Sequence, residues 1–136
     1  MDLDRALRIS AAGMQAQATR LRVVAENLAN RDSTAETPDG EPYRRKTVTF
    51  RNRMDRAAGT AMVGVSRIGT AAGEFPVRFD PSHPAADARG YVRTPNVDSV
   101  IETMDMREAQ RSYAANLSVL EVTRGMLTRT IEALRG

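Results

Sequence analysis

The sequence predicts a mainly α protein in which long N- and C-terminal heptad helices pack as an antiparallel coiled coil, with a small extended, β-containing module between them. Three observations indicate this fold class. Apolar residues recur at heptad spacing near both ends, proline and glycine interrupt the middle, and large apolar residues are few. We therefore expect one discontinuous helical domain, residues 1–30 and 97–136, and a loop and short-strand module, residues 31–96.

The first helix is predicted from positions that advance alternately by four and three residues. Six of these eight positions are apolar: Leu3, Leu7, Ser10, Met14, Gln17, Leu21, Val24 and Leu28. Gly13 lies among small residues, which favours close approach of a neighbouring helix there over simple tolerance of a glycine.

The middle module is predicted from turn residues and short alternating stretches. Pro38 to Gly40 forms a Pro-Asp-Gly turn, and Thr47 to Phe50 and Met62 to Ile68 alternate as short strands. His83, the only histidine, lies in a turn-like run and is expected at the surface.

The second helix is predicted to run from about 97 to 134, with Asn96 as its N-cap. Its heptad line is apolar at seven of nine positions: Met106, Gln110, Tyr113, Leu117, Leu120, Arg124, Leu127, Ile131 and Leu134. A second stripe lies about 200° around the helix from Tyr113, Leu117 and Leu120 on ideal geometry. Its members are Ala115, Val119, Val122, Met126, Arg129 and Ala133. We assign the first line to the chain's own N-terminal helix and the second to other subunits; the reverse assignment stays open.

The first helix stops in the tetrapeptide Asn-Leu-Ala-Asn, without glycine or proline. Asn30 tolerates a left-handed conformation and is expected to cap the helix. Asn27 can offer its amide to loop backbone or to a neighbouring subunit, and we favour the subunit.

Composition argues for burial against partners and against catalysis. Of 56 apolar residues, 20 are alanine, which leaves a thin supply for a core. The 20 basic residues are scattered, so no nucleic-acid-binding arm is expected, although a basic helical nucleic-acid-binding protein stays an alternative. There is no cysteine, phosphate-binding loop or nucleophile motif, and we expect no cofactor, metal or small-molecule substrate. The N-terminus lacks a secretory signal, so the protein stays in the cytoplasm or leaves by another route.

The stretch SAAGMQAQATRLRVVAENLANRDST resembles the N-terminal signature of bacterial flagellar axial proteins. Three further stretches are similar to the proximal rod proteins of that family: TPDGEPYRRK, DPSHPAADARGYVRTPNV and MREAQRSYAANLSVLEVTRGML. The resemblance implies a structural subunit of the rod, which crosses the periplasm and transmits torque from motor to hook. It also implies association with itself and other rod proteins, and export by the flagellar type III apparatus. Which proximal rod protein it is stays open, and a cytoplasmic adaptor is a further alternative.

The resemblance and the two stripes together predict a set of subunit-interface residues. They are Gly13, Met14, Leu21, Val24, Asn27, Leu28, Tyr113, Asn116, Leu117, Val119, Leu120, Val122 and Met126.

Overall fold

The computed structural model describes residues 2–136 and contains two helices and two small antiparallel sheets. Helix α1 spans Leu3–Ala29 and helix α2 spans Ser99–Arg135. Strands β1 (Lys46–Asp55) and β2 (Thr60–Thr70) form a long hairpin, and β3 (Val77–Phe79) pairs with β4 (Tyr91–Arg93).

The capping of both helices follows from polar side chains next to their ends. Asp2 accepts a hydrogen bond from the Arg5 N–H at 3.1 Å and begins α1. Asp98 rather than Asn96 caps α2, accepting from the Val100 N–H at 2.9 Å, so the predicted cap was two residues early. Asn30 does end α1, but with φ −104° instead of the left-handed conformation; its side chain bonds back to the Glu26 carbonyl at 2.9 Å.

The hairpin is longer than the short strands predicted from sequence. Its turn is fixed by Asp55, whose Oδ1 accepts from the N–H groups of Ala57 and Ala58, and by Gly59 at φ +64°. A bulge interrupts the register between Thr49 and Phe50. The hairpin lies along α1, and the Arg5 side chain donates to the Ala58 carbonyl at 3.0 Å.

The second, smaller sheet was missed by the sequence analysis because its strands have three residues each. Phe79 and Tyr91 make an edge-to-face contact at 5.3 Å across it, and Val92 is fully buried. Asp87 accepts from the N–H groups of Arg89 and Tyr91 before β4. The Tyr91 bond is the main cause that lowers the pKa of the Asp87 carboxyl.

The prediction of a mainly α fold built on a coiled coil is wrong. Helices make up 47% of the chain and strands 20%, and coiled-coil packing is absent from the described residues. The physical reason is that α1 contacts two different partners, α2 and the hairpin. A heptad seam presents one face, whereas α1 buries Ser10, Gly13 and Asn27 as well as Ala16 and Val23.

Candidate assembly surface and the junction that supports it

The helices run antiparallel, as three cross-contacts show. Asn27 meets Glu102, Arg20 meets Asp105, and Gly13 faces Asn116, so later residues of α1 meet earlier residues of α2. A Cβ on Gly13 would lie 2.7 Å from Nδ2 of Asn116. The glycine therefore permits the close helix approach that the sequence predicted at this position.

A buried polar junction joins α1, β1 and α2 around Asn27. The Asn27 Nδ2 donates to the Lys46 carbonyl at 3.0 Å and to Oε2 of Glu102 at 3.2 Å. Its Oδ1 accepts from the Lys46 N–H at 2.9 Å and from the Tyr43 hydroxyl at 2.8 Å. One side chain that is 1% exposed thus satisfies both backbone groups of the first residue of the hairpin.

Glu102 carries the charge of this junction in a fully buried position. Its Oε1 accepts from Nε of Arg45, and the other end of that guanidinium lies 3.3 Å from Asp105. Arg20 of α1 continues the network, at 3.4 Å from Asp105 and 3.2 Å from Glu108. A buried carboxylate is tolerated because it is paired and hydrogen-bonded, and removal of one partner would leave a charge uncompensated.

Tyr43 is held as a hydrogen-bond donor by the same environment. Burial raises the pKa of its phenol above the ordinary value of 10.0, and the carboxylates of Glu26 and Glu102 raise it further. The hydroxyl therefore keeps its proton at neutral pH and donates to Asn27.

His83 links two loops through hydrogen bonds, whereas the sequence predicted a residue in a surface turn. Its Nδ1 accepts from the Ala85 N–H at 2.9 Å, and its Nε2 lies 3.0 Å from the Thr34 hydroxyl. It is half-buried.

One flank of α2 carries an exposed apolar stripe, here called the flanking stripe, that has no partner within residues 2–136. Val119, Val122 and Met126 are between 40% and 63% exposed. On ideal geometry they lie about 60° to 120° around the helix from the buried inner line of Ala109 and Thr123. This is the stripe that the sequence assigned to other subunits.

The end of α2 also extends past α1. Because Gly13 faces Asn116, Leu3 at the start of α1 lies opposite about residue 126 on ideal antiparallel geometry. Every residue from Met126 to Arg135 is exposed. This overhang continues the inner side of α2 with large apolar side chains: Leu127, Ile131 and Leu134.

The remaining predicted interface residues fall at the edges of the helix pair. On each helix, the heptad line predicted from the sequence is displaced by about one residue from the line of residues that is buried. On α1, Met14, Leu21 and Leu28 are therefore half-buried, and Val24 is buried. On α2, Tyr113, Asn116 and Leu120 are half-buried, whereas Leu117 is exposed. The Asn27 side chain is buried and forms its hydrogen bonds within the chain. The assignment of these residues to a subunit interface stays a prediction.

Sequence reasoning missed Glu102 and Arg45 as partners of Asn27. Periodicity based on large apolar residues placed the inner line at Met106 and Gln110, whereas Ala109 is the buried residue. A line drawn back from Ala109 by four and three residues reaches Asp105 and Glu102. An acidic residue on the inner line was therefore a usable signal.

Among the described residues, no set of three histidine or carboxylate side chains is arranged to hold a metal ion. Neither α1 nor α2 contains an apolar segment long enough for a membrane span.

Comparison with known proteins identifies the family. Residues 7–35 match the family described as "Flagella basal body rod protein", and residues 88–133 match "Flagellar basal body rod FlgEFG protein C-terminal". The flagellar basal-body rod protein FlgC of Agrobacterium fabrum is 48% identical over 133 residues, which cover 98% of this chain and 96% of that protein. The chain belongs to the FlgC family of flagellar basal-body rod proteins.

Other FlgC proteins agree over similar lengths. The FlgC of Aquifex aeolicus is 43% identical over 98% of both chains. The FlgC of Salmonella typhimurium is 42% identical over 90% of this chain and 91% of its own. The two matched family regions include most of α1 and of α2, which are the two elements joined by the Asn27 junction.

Proposed function

We propose that the chain is a structural subunit of the flagellar basal-body rod, and that it acts in the shaft that transmits torque rather than as an enzyme. Membership of the FlgC family supports the rod assignment. The observation that carries a structural role is the unpartnered apolar surface of α2, the flanking stripe together with the overhang. Scattered exposed apolar residues are normal, but a stripe along several turns of one helix is typical of a surface that another protein covers.

The rod subunit assembles, in this proposal, with copies of itself and with other rod proteins. Val119, Val122 and Met126 would contact neighbouring subunits, and the overhang would lie against helices that the isolated chain does not contain. Transfer of their side chains from water would supply free energy that the thin monomer core lacks. The chain would travel through the flagellar type III export apparatus before it folds.

The proposal also accounts for the Asn27 junction. A shaft subunit must carry load between its helices and its outer hairpin without a change in their relative position. Paired charges and four hydrogen bonds to Asn27 hold α1, α2 and β1 in one arrangement.

Purified hook–basal bodies provide the test. The chain is expected in the rod fraction of cells that carry it, and cells without it are expected to assemble no complete rod and not to swim. Recovery of the chain only as a folded cytoplasmic protein would contradict the proposal. Affinity for DNA that falls steeply with added salt would instead support the nucleic-acid-binding alternative.

A further inference from the structure

The β1–β2 hairpin is divided into two parts by the bulge between Thr49 and Phe50. The part next to the polar junction, here called the root, pairs residues 46–49 with residues 67–70. The part beyond the bulge, here called the arm, is the loop-closed end of the hairpin, residues 50–65. A bulge disrupts the ladder and bends the strand, so it is a natural place for one part to move relative to the other.

The root is fixed to α1 by several polar contacts. The Asn27 side chain bonds to both backbone groups of Lys46, and the Lys46 ammonium lies 3.4 Å from the carboxylate of Glu26. Tyr43, just before the strand, donates to the same Asn27 amide at 2.8 Å. Separation of the root from α1 would leave buried groups without partners, so the root stays in place while the chain is folded.

The arm is held on α1 by far fewer contacts. Among the described residues one hydrogen bond joins it to the helix, from Nε of Arg5 to the Ala58 carbonyl at 3.0 Å, and this bond is exposed. Every residue of the arm is half-buried or exposed. An open groove of about 560 Å³ lies between the arm, at Val63 and Val65, and α1, at Ala16. Loose packing forfeits dispersion contacts, so the arm gains little free energy by lying on α1.

We propose that the arm swings away from α1 about the bulge while the root stays in place, and that the hydrogen bond from Arg5 to Ala58 is the latch that keeps it closed. Opening uncovers the small residues of α1 that line the groove: Ala12, Ala16 and Thr19. The α1–α2 pair stays folded, so the chain changes its outer surface without losing its core. This goes beyond the proposed function, because it is a property of the free subunit.

Reaction of a thiol placed under the arm measures the opening, because the natural chain contains no cysteine. Ala16 is 3% exposed and lines the groove, which leaves room for the added sulfur, so Ala16→Cys reports uncovering by the arm. Val23→Cys is the matched reporter, because Val23 is equally buried on the same helix but lies beside the root. With an excess of thiol reagent under native conditions, Ala16→Cys should react at least about tenfold faster, since local opening needs less free energy than global unfolding.

Removal of the latch tests the role of Arg5. Arg5→Ala should speed the reaction of Ala16→Cys by about threefold to tenfold, as expected for one lost hydrogen bond, and should leave Val23→Cys unchanged. Circular dichroism verifies that each variant is folded. If Ala16→Cys is not folded, Ala12→Cys, one turn earlier in the same groove, carries the same comparison.

Arg8→Ala is the matched control for the latch. Like Arg5, Arg8 is an exposed arginine near the start of α1 that pairs with a neighbouring acid, but its hydrogen bond goes to Asp4 at 2.9 Å instead of to the arm. High salt screens the longer-range attraction between Arg8 and Asp55 of the arm. Arg8→Ala should change either rate by less than about twofold.

Two results would overturn the proposal. Equal reaction rates of Ala16→Cys and Val23→Cys would show that the arm leaves α1 only when the whole chain unfolds. An effect of Arg5→Ala no larger than that of Arg8→Ala would show that the hydrogen bond to Ala58 is not a latch. Neither result bears on the rod assignment, which basal-body fractionation tests.

Discussion

At the scale of single residues, the Asn27 amide substitutes for a neighbouring strand at the root of the hairpin. It exchanges two hydrogen bonds with the backbone of Lys46, as a paired strand residue would. The sequence identified Asn27 as unusual at the end of an apolar helix, but not which backbone it meets. Its partners lie 16, 19 and 75 residues away, and no local pattern encodes contacts at such separations.

Replacement of Asn27 by alanine should destabilise the fold by about 3 kcal/mol. The change leaves the Lys46 backbone groups and one oxygen of Glu102 buried without their partner. Urea unfolding of the purified chain, followed by circular dichroism, measures the loss. Asn30→Ala is the control, because Asn30 bonds only to Glu26 and Ser33 at the helix end and should cost about 1 kcal/mol. Equal losses for the two variants would show that the junction is not the main constraint.

At the scale of elements, the existence of both helices was predictable and their packing was not. Heptad periodicity in large apolar residues located α1 and α2 within a few residues. The same criterion placed the line of contact between the helices one residue away from the residues that are buried. Those residues include Gly13, Ala109 and Thr123, which no search for large side chains selects. Close helix contact uses small residues, so the apolar side chains flank the contact instead of filling it.

The two helical glycines should respond in opposite ways to alanine. Gly125→Ala meets nothing within 4 Å and should stabilise the chain by up to about 1 kcal/mol through helix propensity. Gly13→Ala should destabilise it, because the added Cβ would lie 2.7 Å from the Asn116 amide. Thermal unfolding of both variants tests this.

The steric clash expected for Gly13→Ala involves the Asn116 side chain, so a second substitution at Asn116 should relieve it. The double variant Gly13→Ala with Asn116→Ala should be more stable than Gly13→Ala alone, since truncation of Asn116 removes the contacted atoms. If Gly13→Ala stabilises as much as Gly125→Ala, the helices are not in close contact there.

At the scale of the whole molecule, burial is concentrated on α1. This helix lies between α2 and the hairpin, whereas α2 packs mainly on α1, and the flanking stripe and the last turns of α2 stay exposed. The small supply of large apolar residues predicted such a thin core from composition alone. The sequence could not show that the hairpin would cover α1, because that choice depends on the long-range junction. The two-domain division at residues 30 and 97 stays a prediction.

The flanking stripe of α2 leads to a prediction about the assembled rod. Val122→Asp places a charge in the proposed contact between subunits, where removal of the carboxylate from water would cost several kcal/mol. Val122 is 63% exposed in the chain itself, so the fold of the subunit should be unaffected. In the proposed route the chain is exported before it folds, and export should also continue. We expect secreted subunit, no complete rod and loss of swimming, measured by fractionation and motility in soft agar. Ala114→Asp is the control, because Ala114 is exposed on the same helix but lies outside the stripe, and its carrier should swim. Normal swimming with Val122→Asp would show that the stripe is not an assembly surface.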